Sequence, residues 1–506
     1  MCRLVTEYLN DTVKQYPDKV AFIDKDRKIT FKELKNEAFA IAYEFVKIKC
    51  FKKPVLIFME KSVSMISSFM GVAYSGNFYS PLDTKMPEER INKILDTLKP
   101  EFIITDRTHF DKVKSIVNEK SVLIFEDIIE KNAINENEIL NVSRKIIDTD
   151  ILYVLFTSGS TGTPKGVIIN HRAVVDYTDW VSTCYGFDET TVFANQAQLY
   201  FDLSIQDVYA PMRNGSTTVL IANRMYTAPV RVWKTILENN VNTLVWIPSM
   251  LSLFANLDIL EHVEHAPLKT VLFCGEVMPM KQLNYWIRKY PEVTFGNLYG
   301  PTECTDACTY YTVNRKFNDD DVLPMGKPCE NSDAFIVDEN GNIITKQGEI
   351  GELLVRGSCM SMGYYGDPER TNEVFVQNPA HNDYPELVYR TGDLVIYNEF
   401  GELVYVNRKD FQIKIRGYRV ELGEIDAAST AIDKVSYSCC LFDAKNEKLI
   451  LVYTGDVSPE DVKSILGSKL QDYMIPSEYI KRDVMLFNVN GKIDRKALMA
   501  EYVNEK

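Results

Sequence analysis

Residues 155–166, with the sequence LFTSGSTGTPKG, are the stretch from which the fold can first be inferred. A short apolar run, residues 151–156, leads into it and has the length and composition of a buried strand. Three glycines, five hydroxyl side chains and one lysine then fall within ten positions, 157–166. Glycine lets backbone N–H groups turn toward an anion, hydroxyls add donors, and lysine adds positive charge. The stretch therefore predicts a polyphosphate-binding loop that follows a strand.

This loop differs from a Walker A loop, in which Gly-Lys is directly followed by Ser or Thr at the head of a helix. Here Pro164 precedes Lys165 and Gly166 follows it. A Gly/Ser-rich turn that binds nothing has a similar composition. The rest of the chain must therefore distinguish a phosphate loop from an ordinary turn.

The bulk composition is that of a globular protein with more than one domain. The chain has 506 residues, of which 45% are hydrophobic and 25% charged. Its net charge of −14 argues against a general nucleic-acid binder, because phosphate recognition needs a basic face. The ten cysteines show neither disulfide nor metal-ligand spacing. Without an apolar span or a signal sequence, we expect a cytoplasmic protein with no membrane insertion.

Strand and helix patterns alternate before about residue 330, which predicts parallel sheets with helices on both faces. The strand candidates are 55–59, 102–105, 217–222, 243–248 and 270–274, and clear helical patterns cover 62–75 and 87–98.

Later segments are short, β-rich and interrupted by Gly, Asn and Asp, which predicts a small β-barrel subdomain at about 330–409. From residue 411 the pattern is that of a compact α+β unit. One of its helices is predicted to begin with Ser458 as N-cap and Pro459 at the first helical position. We therefore expect an α/β core over 1–409 and a small, mobile α+β lid over 410–506, with a hinge at Asp410.

Seven stretches occur in the order typical of one family. They are LFTSGSTGTPKG (155–166), YFDLSIQD (200–207), NLYGPTE (297–303), GELLVRG (351–357), YRTGD (389–393), NRKDFQIKIRGYRVELGEI (407–425) and NGKIDRK (490–496). Together they resemble the adenylate-forming enzymes, specifically the amino-acid adenylation domains of nonribosomal peptide synthesis. The single-module length and FCGEV (273–277) are most similar to stand-alone ligases that charge a carrier protein with D-alanine.

The resemblance implies a two-step, AMP-forming reaction with ATP and Mg2+. A substrate carboxylate attacks the α-phosphorus of ATP, which gives an acyl-adenylate and pyrophosphate. A phosphopantetheine thiol on a carrier protein then attacks the acyl carbon and releases AMP. The implied partners are thus an amino acid and a phosphopantetheinylated carrier protein, with no nucleic acid, and we expect a monomer.

The resemblance also assigns roles to single residues. It makes Thr302, Glu303 and Lys492 catalytic: Glu303 holds Mg2+, and Lys492 bridges the substrate carboxylate and the α-phosphate. It assigns ATP binding to Thr157, Ser158, Gly159, Ser160, Thr161, Gly162, Lys165, Gly275, Glu276, Asn297, Tyr299, Gly300, Asp393 and Arg408. Asp410 falls at the hinge, and Gly417 falls beside the pantetheine tunnel, where a Cβ would obstruct the thiol arm.

Nine positions are implied to form the substrate pocket: Asp202, Leu203, Gln206, Ser249, Leu272, Cys274, Leu298, Asp306 and Ala307. Asp202 matches the acid that pairs with the substrate α-ammonium group. Four positions (Leu203, Ser249, Cys274 and Ala307) fit the D-alanine pattern, whereas Gln206, Leu298 and Asp306 depart from it. A second acid suits a side chain with a hydroxyl, an amide or an ammonium; alternatively, Asp306 points away and bonds a nearby backbone. Both D-alanine and a small polar or cationic amino acid remain open.

Three other functions are compatible with parts of this pattern. An acyl-CoA or aryl-CoA synthetase shares the glycine-rich loop, the acid of the YRTGD motif (Asp393) and the lysine near the C-terminus (Lys492). It does not need Asp202. A purely binding member would have lost Lys492, Glu303 or Asp393. An adenylation domain cut from a larger peptide synthetase for a polar or cationic amino acid also stays open, although we expect a stand-alone enzyme.

Overall fold

The computed structural model describes residues 2–117, 121–159, 162–444, 446–487 and 493–504. Three predicted site residues, Ser160, Thr161 and Lys492, lie outside these described residues. The chain forms two compact units. The first comprises residues 1–84, 98–155 and 166–409, and the second comprises residues 85–97, 156–165 and 410–506.

Strands and helices are numbered along the chain. The strands are β1 (Val20–Ile23), β2 (Lys28–Thr30), β3 (Pro54–Phe58), β4 (Phe78–Pro81), β5 (Phe102–Thr105), β6 (Val122–Ile124), β7 (Ile151–Thr157), β8 (Lys165–Asn170), β9 (Val192–Asn195), β10 (Thr217–Leu220), β11 (Thr243–Trp246), β12 (Thr270–Cys274), β13 (Thr294–Tyr299), β14 (Thr309–Thr312), β15 (Lys327–Pro328), β16 (Ser332–Val337), β17 (Ile343–Ile344), β18 (Gly351–Gly357), β19 (Phe375–Gln377), β20 (Leu387–Tyr397), β21 (Leu403–Arg408), β22 (Gln412–Ile415), β23 (Tyr418–Glu421), β24 (Val435–Asp443), β25 (Lys448–Gly455) and β26 (Glu478–Arg482). The α-helices are α1 (Val5–Gln15), α2 (Phe31–Lys47), α3 (Val63–Tyr74), α4 (Glu88–Leu98), α5 (Phe110–Lys114), α6 (Phe125–Lys131), α7 (Glu136–Ser143), α8 (His171–Cys184), α9 (Ile205–Asn214), α10 (Pro229–Glu238), α11 (Pro248–Asn256), α12 (Met280–Lys289), α13 (Pro368–Val374), α14 (Leu422–Thr430), α15 (Pro459–Lys469) and α16 (Arg495–Asn504).

Two largely parallel sheets form the body of the first unit. One has the order β15-β14-β13-β12-β11-β9-β10-β1-β2, and its central strands β1, β10, β9, β11, β12 and β13 run parallel. The other has the order β6-β5-β3-β4-β7-β8. Every residue of β3, β11 and β12 is buried, as expected for strands covered on both faces by helices. The predicted α/β fold with parallel sheets is confirmed.

Most strand ends agree with the sequence prediction to within two residues, and one difference has a clear cause. The strand predicted over 243–248 ends at Trp246, and helix α11 begins at Pro248. Proline has no N–H for a strand ladder, and its fixed φ suits the first helical position. The apolar run therefore contains the end of a strand and the start of a helix.

A six-stranded antiparallel sheet completes the first unit. Its order is β17-β16-β18-β20-β19, with β21 also paired to β20, and it curls into a half-barrel. Strand β20 is eleven residues long and pairs with β21 so that Asp393 lies opposite Arg408. The pairing places two of the predicted nucleotide-binding residues side by side.

The second unit contains a three-stranded sheet, β24-β25-β26, and the β22–β23 hairpin, together with helices α14 to α16. The predicted start of α15 is confirmed: Ser458 is the N-cap and accepts a hydrogen bond from the N–H of Asp461 at 3.1 Å, and Pro459 follows it. Among the described residues, no helix has the length and apolar character needed to cross a membrane.

Candidate active site

The candidate site of the first unit lies at one edge of the nine-stranded sheet. Strands β9, β11, β12 and β13 are parallel neighbours, so their carboxyl ends meet at the same edge. The segments that follow these strands carry Asp202, Ser249, Glu276 and Glu303, respectively. Ligands of open parallel sheets bind at this edge. Motifs that are far apart in the sequence therefore converge on one side of the sheet.

Glu303 is buried within a short 3₁₀ helix, Thr302–Cys304, just after β13. The hydroxyl of Tyr364 donates a hydrogen bond to its Oε1 at 2.7 Å. This tyrosine lies in no motif that we used, so nothing in the sequence indicated its role. Among the described residues there is no group of three or more His, Cys, Asp or Glu side chains that could hold a metal. A single hard oxygen ligand fits Mg2+, which is commonly bound by one or two carboxylates together with substrate phosphates.

Asp393 is held by two donors from different elements. Tyr299, at the end of β13, donates its hydroxyl to Oδ2, and Arg408 of β21 donates Nη1 to Oδ1 at 2.8 Å. Burial, followed by the Asp393 charge, raises the pKa of Tyr299. A carboxylate offers about four acceptor positions, so Asp393 keeps positions for two further donors. The pair of hydroxyls on a ribose fits that capacity.

Two residues predicted to line the adenine also hold the surrounding loops in place. Glu276 accepts a hydrogen bond from the N–H of Ser249, in the first turn of α11, at 2.9 Å. Asn297 donates its amide to the carbonyl of Pro324 at 2.8 Å. Just before Glu276, Gly275 has φ +101°, a conformation that side chains rarely adopt.

The glycine-rich loop belongs to the second unit, and its described residues differ in what they offer a ligand. The Thr157 hydroxyl is buried and makes no hydrogen bond to any described residue, so it is a donor suited to an anion. Ser158 donates its hydroxyl to the carbonyl of Arg419 at 2.8 Å. Gly162 turns back on Gly159, with an N–H to carbonyl distance of 2.9 Å and φ +78°. Lys165 is the first residue of β8.

The predicted substrate pocket has mainly apolar walls. Five of its nine residues belong to one buried apolar cluster: Leu203, Leu272, Cys274, Leu298 and Ala307. Cys274 and Leu298 are register partners in β12 and β13. Asp202, in contrast, is only half-buried, and its Oδ1 accepts the N–H of Leu203 at 3.0 Å. Its partial exposure lowers the cost of keeping the carboxylate charged.

Asp306 is buried and has an unusual backbone conformation. The residue is 2% exposed, and its φ is +71°, next to Thr305 at +52°. Gly300 makes room for this turn, because a Cβ there would lie 2.4 Å from the Asp306 carbonyl oxygen. Asp tolerates the left-handed region better than most residues. The small size of Gly300 and the tolerance of Asp306 for this conformation together permit the turn.

Two buried tyrosines outside the predicted set lie beside these pocket residues. Tyr177 of α8 donates its hydroxyl to Gln206 Oε1 at 3.1 Å. Burial, and then the charge and hydrogen bond of Asp306, raise the pKa of Tyr177. Burial, followed by the charge of Asp202, raises the pKa of Tyr153 on β7, and Asp306 contributes to the same shift. Both tyrosines lie within apolar sequence patterns, so only the tertiary structure identifies them.

In the second unit, the two residues predicted for hinge and tunnel lie on either side of β22. Asp410 accepts the N–H of Gln412, the first residue of β22, at 3.1 Å. Arg416 and Gly417 form the two-residue turn between β22 and β23, with φ values of +50° and +79°. This is the pattern of a type I′ hairpin turn, which favours glycine at its second position.

Known proteins resemble this chain over nearly its whole length. Residues 9–365 match the family model described as AMP-binding enzyme. The D-alanine--D-alanyl carrier protein ligase of Bacillus cytotoxicus is 31% identical over 510 residues, which cover 98% of this chain and 99% of that protein. The Bacillus licheniformis protein of the same name is 30% identical, with 97% and 99% covered.

Two solved structures have the same fold. The Vibrio cholerae adenylation domain AlmE, in complex with glycyl-adenosine-5'-phosphate, superimposes with a TM-score of 0.86 at 20% identity, covering 100% of this chain and 98% of that one. The fused adenylation–carrier di-domain NpsA-ThdA of Klebsiella oxytoca gives a TM-score of 0.82 at 24% identity, with 94% and 93% covered. With a family match over residues 9–365 and relatives aligned almost end to end, the chain belongs to the AMP-binding enzyme family.

Proposed function

We propose that this enzyme is an AMP-forming ligase that activates an amino acid with ATP and transfers it to the phosphopantetheine thiol of a carrier protein. One observation carries the proposal. The hydrogen bond from Tyr299 to Asp393 joins the predicted ribose acid to the sheet edge that also carries Glu303 and residues of the predicted substrate pocket. Curated relatives of 30–32% identity are named as carrier protein ligases for D-alanine, which supports the same reaction type.

The first half-reaction brings together two anions, so it depends on positive charge and on donors already in place. Asp393 and Arg408 would hold the ribose, and Glu303 would hold Mg2+ on the phosphates. The glycine-rich loop, with the open donor of Thr157, is assigned to the phosphates. Mg2+ held by Glu303 would supply positive charge to offset the negative charge of the phosphates.

Lys492 is proposed as the residue at the reacting centre, where its ammonium would bridge the substrate carboxylate and the α-phosphate. Its long side chain suits a contact with two oxygens whose charges change during the reaction. The second half-reaction needs access for a thiol arm, which a lid domain over 410–506 turning at Asp410 would provide. We also propose a domain boundary at 409/410 and a monomeric enzyme.

Asp202 supports an amino acid as the substrate rather than a fatty or aryl acid. Asp202 is half-buried at the edge of an apolar pocket, so keeping its carboxylate charged costs less than in a fully buried site, and the carboxylate can pair with a cation. The α-ammonium group of an amino acid is such a cation. D-alanine is the substrate in the names of the relatives.

The decisive experiment is ATP–pyrophosphate exchange with every L- and D-amino acid, followed by thioester formation on a phosphopantetheinylated carrier protein or on coenzyme A. We expect exchange with one small group of amino acids and transfer to the carrier protein but not to coenzyme A. The Lys492→Ala variant should bind ATP and lose exchange by about 10²–10³-fold, the usual cost of a contact made in the transition state. Exchange driven only by fatty or aryl acids would refute amino-acid activation.

A further inference from the structure

We infer that the side-chain end of the substrate pocket is a polar subsite that selects an amino acid with a hydroxyl or carboxamide side chain. Four residues of the first unit form it: Asp306, Gln206, Tyr177 and Tyr153. This inference rests on the proposed amino-acid activation. It adds the two tyrosines to the pocket and names the class of side chain that the pocket takes.

The hydrogen-bond acceptors of the subsite lie around the Tyr177 hydroxyl. Tyr177 has one hydroxyl hydrogen, and two acceptors lie within its reach: Gln206 Oε1 at 3.1 Å and the Asp306 carboxylate. A carboxylate accepts at about four positions, so Asp306 can accept from a substrate donor in addition to its partners within the protein. A methyl side chain has no such donor, whereas a hydroxyl or an amide has one.

Gln206 and Tyr153 add donors to the same region. Both residues are fully buried, and neither Gln206 Nε2 nor the Tyr153 hydroxyl makes a hydrogen bond to any described residue. A buried donor without a partner costs about 1–3 kcal/mol. The ring of Tyr153 lies 5.6 Å from that of Tyr79, whose hydroxyl shares a hydrogen bond with Tyr209, three residues after Gln206 in α9. A substrate oxygen placed there would accept from these donors.

The donors and acceptors of the subsite limit which substrate side chains can bind there. A substrate side chain must donate to Asp306 and accept from Gln206 or Tyr153. Hydroxyl and carboxamide groups do both, an ammonium only donates, and a methyl does neither. Leu272, Leu298 and Ala307 of the predicted pocket pack in one buried apolar cluster, so we expect little room for a long side chain.

The backbone conformation at Asp306 restricts which residues can replace this acid without strain. Its left-handed conformation, at φ +71°, is one that asparagine adopts as readily as aspartate. An asparagine side chain at this position would keep the turn and remove only the charge, so Asp306→Asn separates electrostatics from backbone conformation. A β-branched residue at this φ would add strain of its own.

The test compares isosteric substrates in pyrophosphate exchange with the full-length enzyme. Serine and 2-aminobutyrate differ by a hydroxyl in place of a methyl, and each is assayed as both enantiomers, together with alanine, asparagine and 2,3-diaminopropionate. We expect serine or asparagine to exceed 2-aminobutyrate and alanine by at least about 10-fold in kcat/KM. Tyr177→Phe, Tyr153→Phe and Asp306→Asn should each lower the serine to 2-aminobutyrate ratio by about 10-fold.

The ratio is measured within one enzyme preparation, so partial misfolding of a variant cancels. Tyr285→Phe, a buried tyrosine of α12 in a separate apolar cluster, is the matched control and should leave the ratio unchanged. A preference of the wild type for alanine or 2-aminobutyrate, or for diaminopropionate, would overturn the polar subsite while leaving amino-acid activation intact. A ratio that none of the three variants changes would overturn it as well. Absence of exchange with every amino acid would refute the proposed function itself.

Discussion

Arg408 donates its Nη1 to Oδ1 of Asp393 at 2.8 Å, across the antiparallel pair of β20 and β21. Tyr299 donates to the other carboxylate oxygen. The acid is thus oriented by two donors from different elements, one on each carboxylate oxygen. Such pre-orientation reduces the entropy that binding must remove.

Asp393→Asn is expected to weaken ATP binding, because one oxygen becomes an NH2 group that cannot accept from Tyr299, Arg408 or a ribose hydroxyl. A lost hydrogen bond to a charged group costs about 1.5–3 kcal/mol, so the KM for ATP should rise at least about 10-fold. Steady-state pyrophosphate exchange measures this. Tyr299→Phe keeps the carboxylate and should have a smaller effect. An unchanged KM for ATP in Asp393→Asn would rule out the ribose role.

Glu303→Gln should weaken Mg2+ binding, while the size of the side chain stays nearly the same. The amide oxygen can still accept from Tyr364, but the negative charge that attracts Mg2+ is gone. We expect a higher Mg2+ requirement and a fall in exchange of about 100-fold at a fixed, low Mg2+ concentration. Tyr364→Phe serves as the control, since it retains the carboxylate. Identical Mg2+ titration curves for wild type and Glu303→Gln would contradict the assignment.

Gly300→Ala should damage the substrate pocket through the backbone. The added Cβ would lie 2.4 Å from the Asp306 carbonyl oxygen and 2.7 Å from Ala307 Cα, so the turn must shift. Overpacking of this kind costs about 1–3 kcal/mol, which denaturant unfolding can measure. The kcat/KM for the amino acid should fall further than the KM for ATP changes.

A matched glycine shows whether that loss is specific to the pocket. Gly467, within α15, has open space around its Cβ position, so Gly467→Ala should stabilise by about 0.5–1 kcal/mol. Equal stability and equal amino-acid kinetics in Gly300→Ala and wild type would show that the close approach is not needed.

Gly417 lies in a turn that favours glycine, and we also propose that it lies beside the thiol arm. Leucine or valine there would strain the type I′ turn at φ +79°, whereas asparagine is tolerated at such positions. Gly417→Asn should therefore fold, retain adenylation, and lose transfer to the carrier thiol by at least about 10-fold, since its side chain would obstruct the arm. Single-turnover assays of the two half-reactions measure this. If a folded Gly417→Asn variant loses both half-reactions equally, the glycine has only a turn role.

The buried side chain of His171, at the start of α8, should make the folded protein less stable in acid. Burial lowers its pKa to about 4, from an ordinary value of 6.5. The unfolded chain therefore binds a proton at a pH where the folded chain does not, so stability is full above pH 6.5 and falls as the pH drops toward 4. The free energy of unfolding should decrease by about 2–3 kcal/mol between pH 7 and 4.5 from this group.

Replacing His171 by phenylalanine keeps a buried ring and removes the titration. The difference between His171→Phe and wild type should then grow as the pH falls, as measured by urea unfolding at several pH values. Parallel stability curves for the two proteins across this range would exclude the histidine as the acid-sensitive group.

Local sequence determined much of this protein. The apolar runs of β3 and β12, the N-cap at Ser458 and the order of seven motifs predict an α/β adenylate-forming fold, because strand, cap and turn preferences depend on near neighbours. The motifs also identified Glu303 and Asp393 as candidate site residues.

Tertiary structure alone decided which distant side chains meet. Tyr364 bonds Glu303 across 61 residues of sequence, and Tyr177 bonds Gln206 across 29. No periodicity in the sequence predicts such contacts, since the direction of a side chain at the end of a strand depends on the packing of the whole sheet. The close approach of Gly300 to Asp306 is likewise a contact that exists only once the loop after β13 has folded back on the end of that strand.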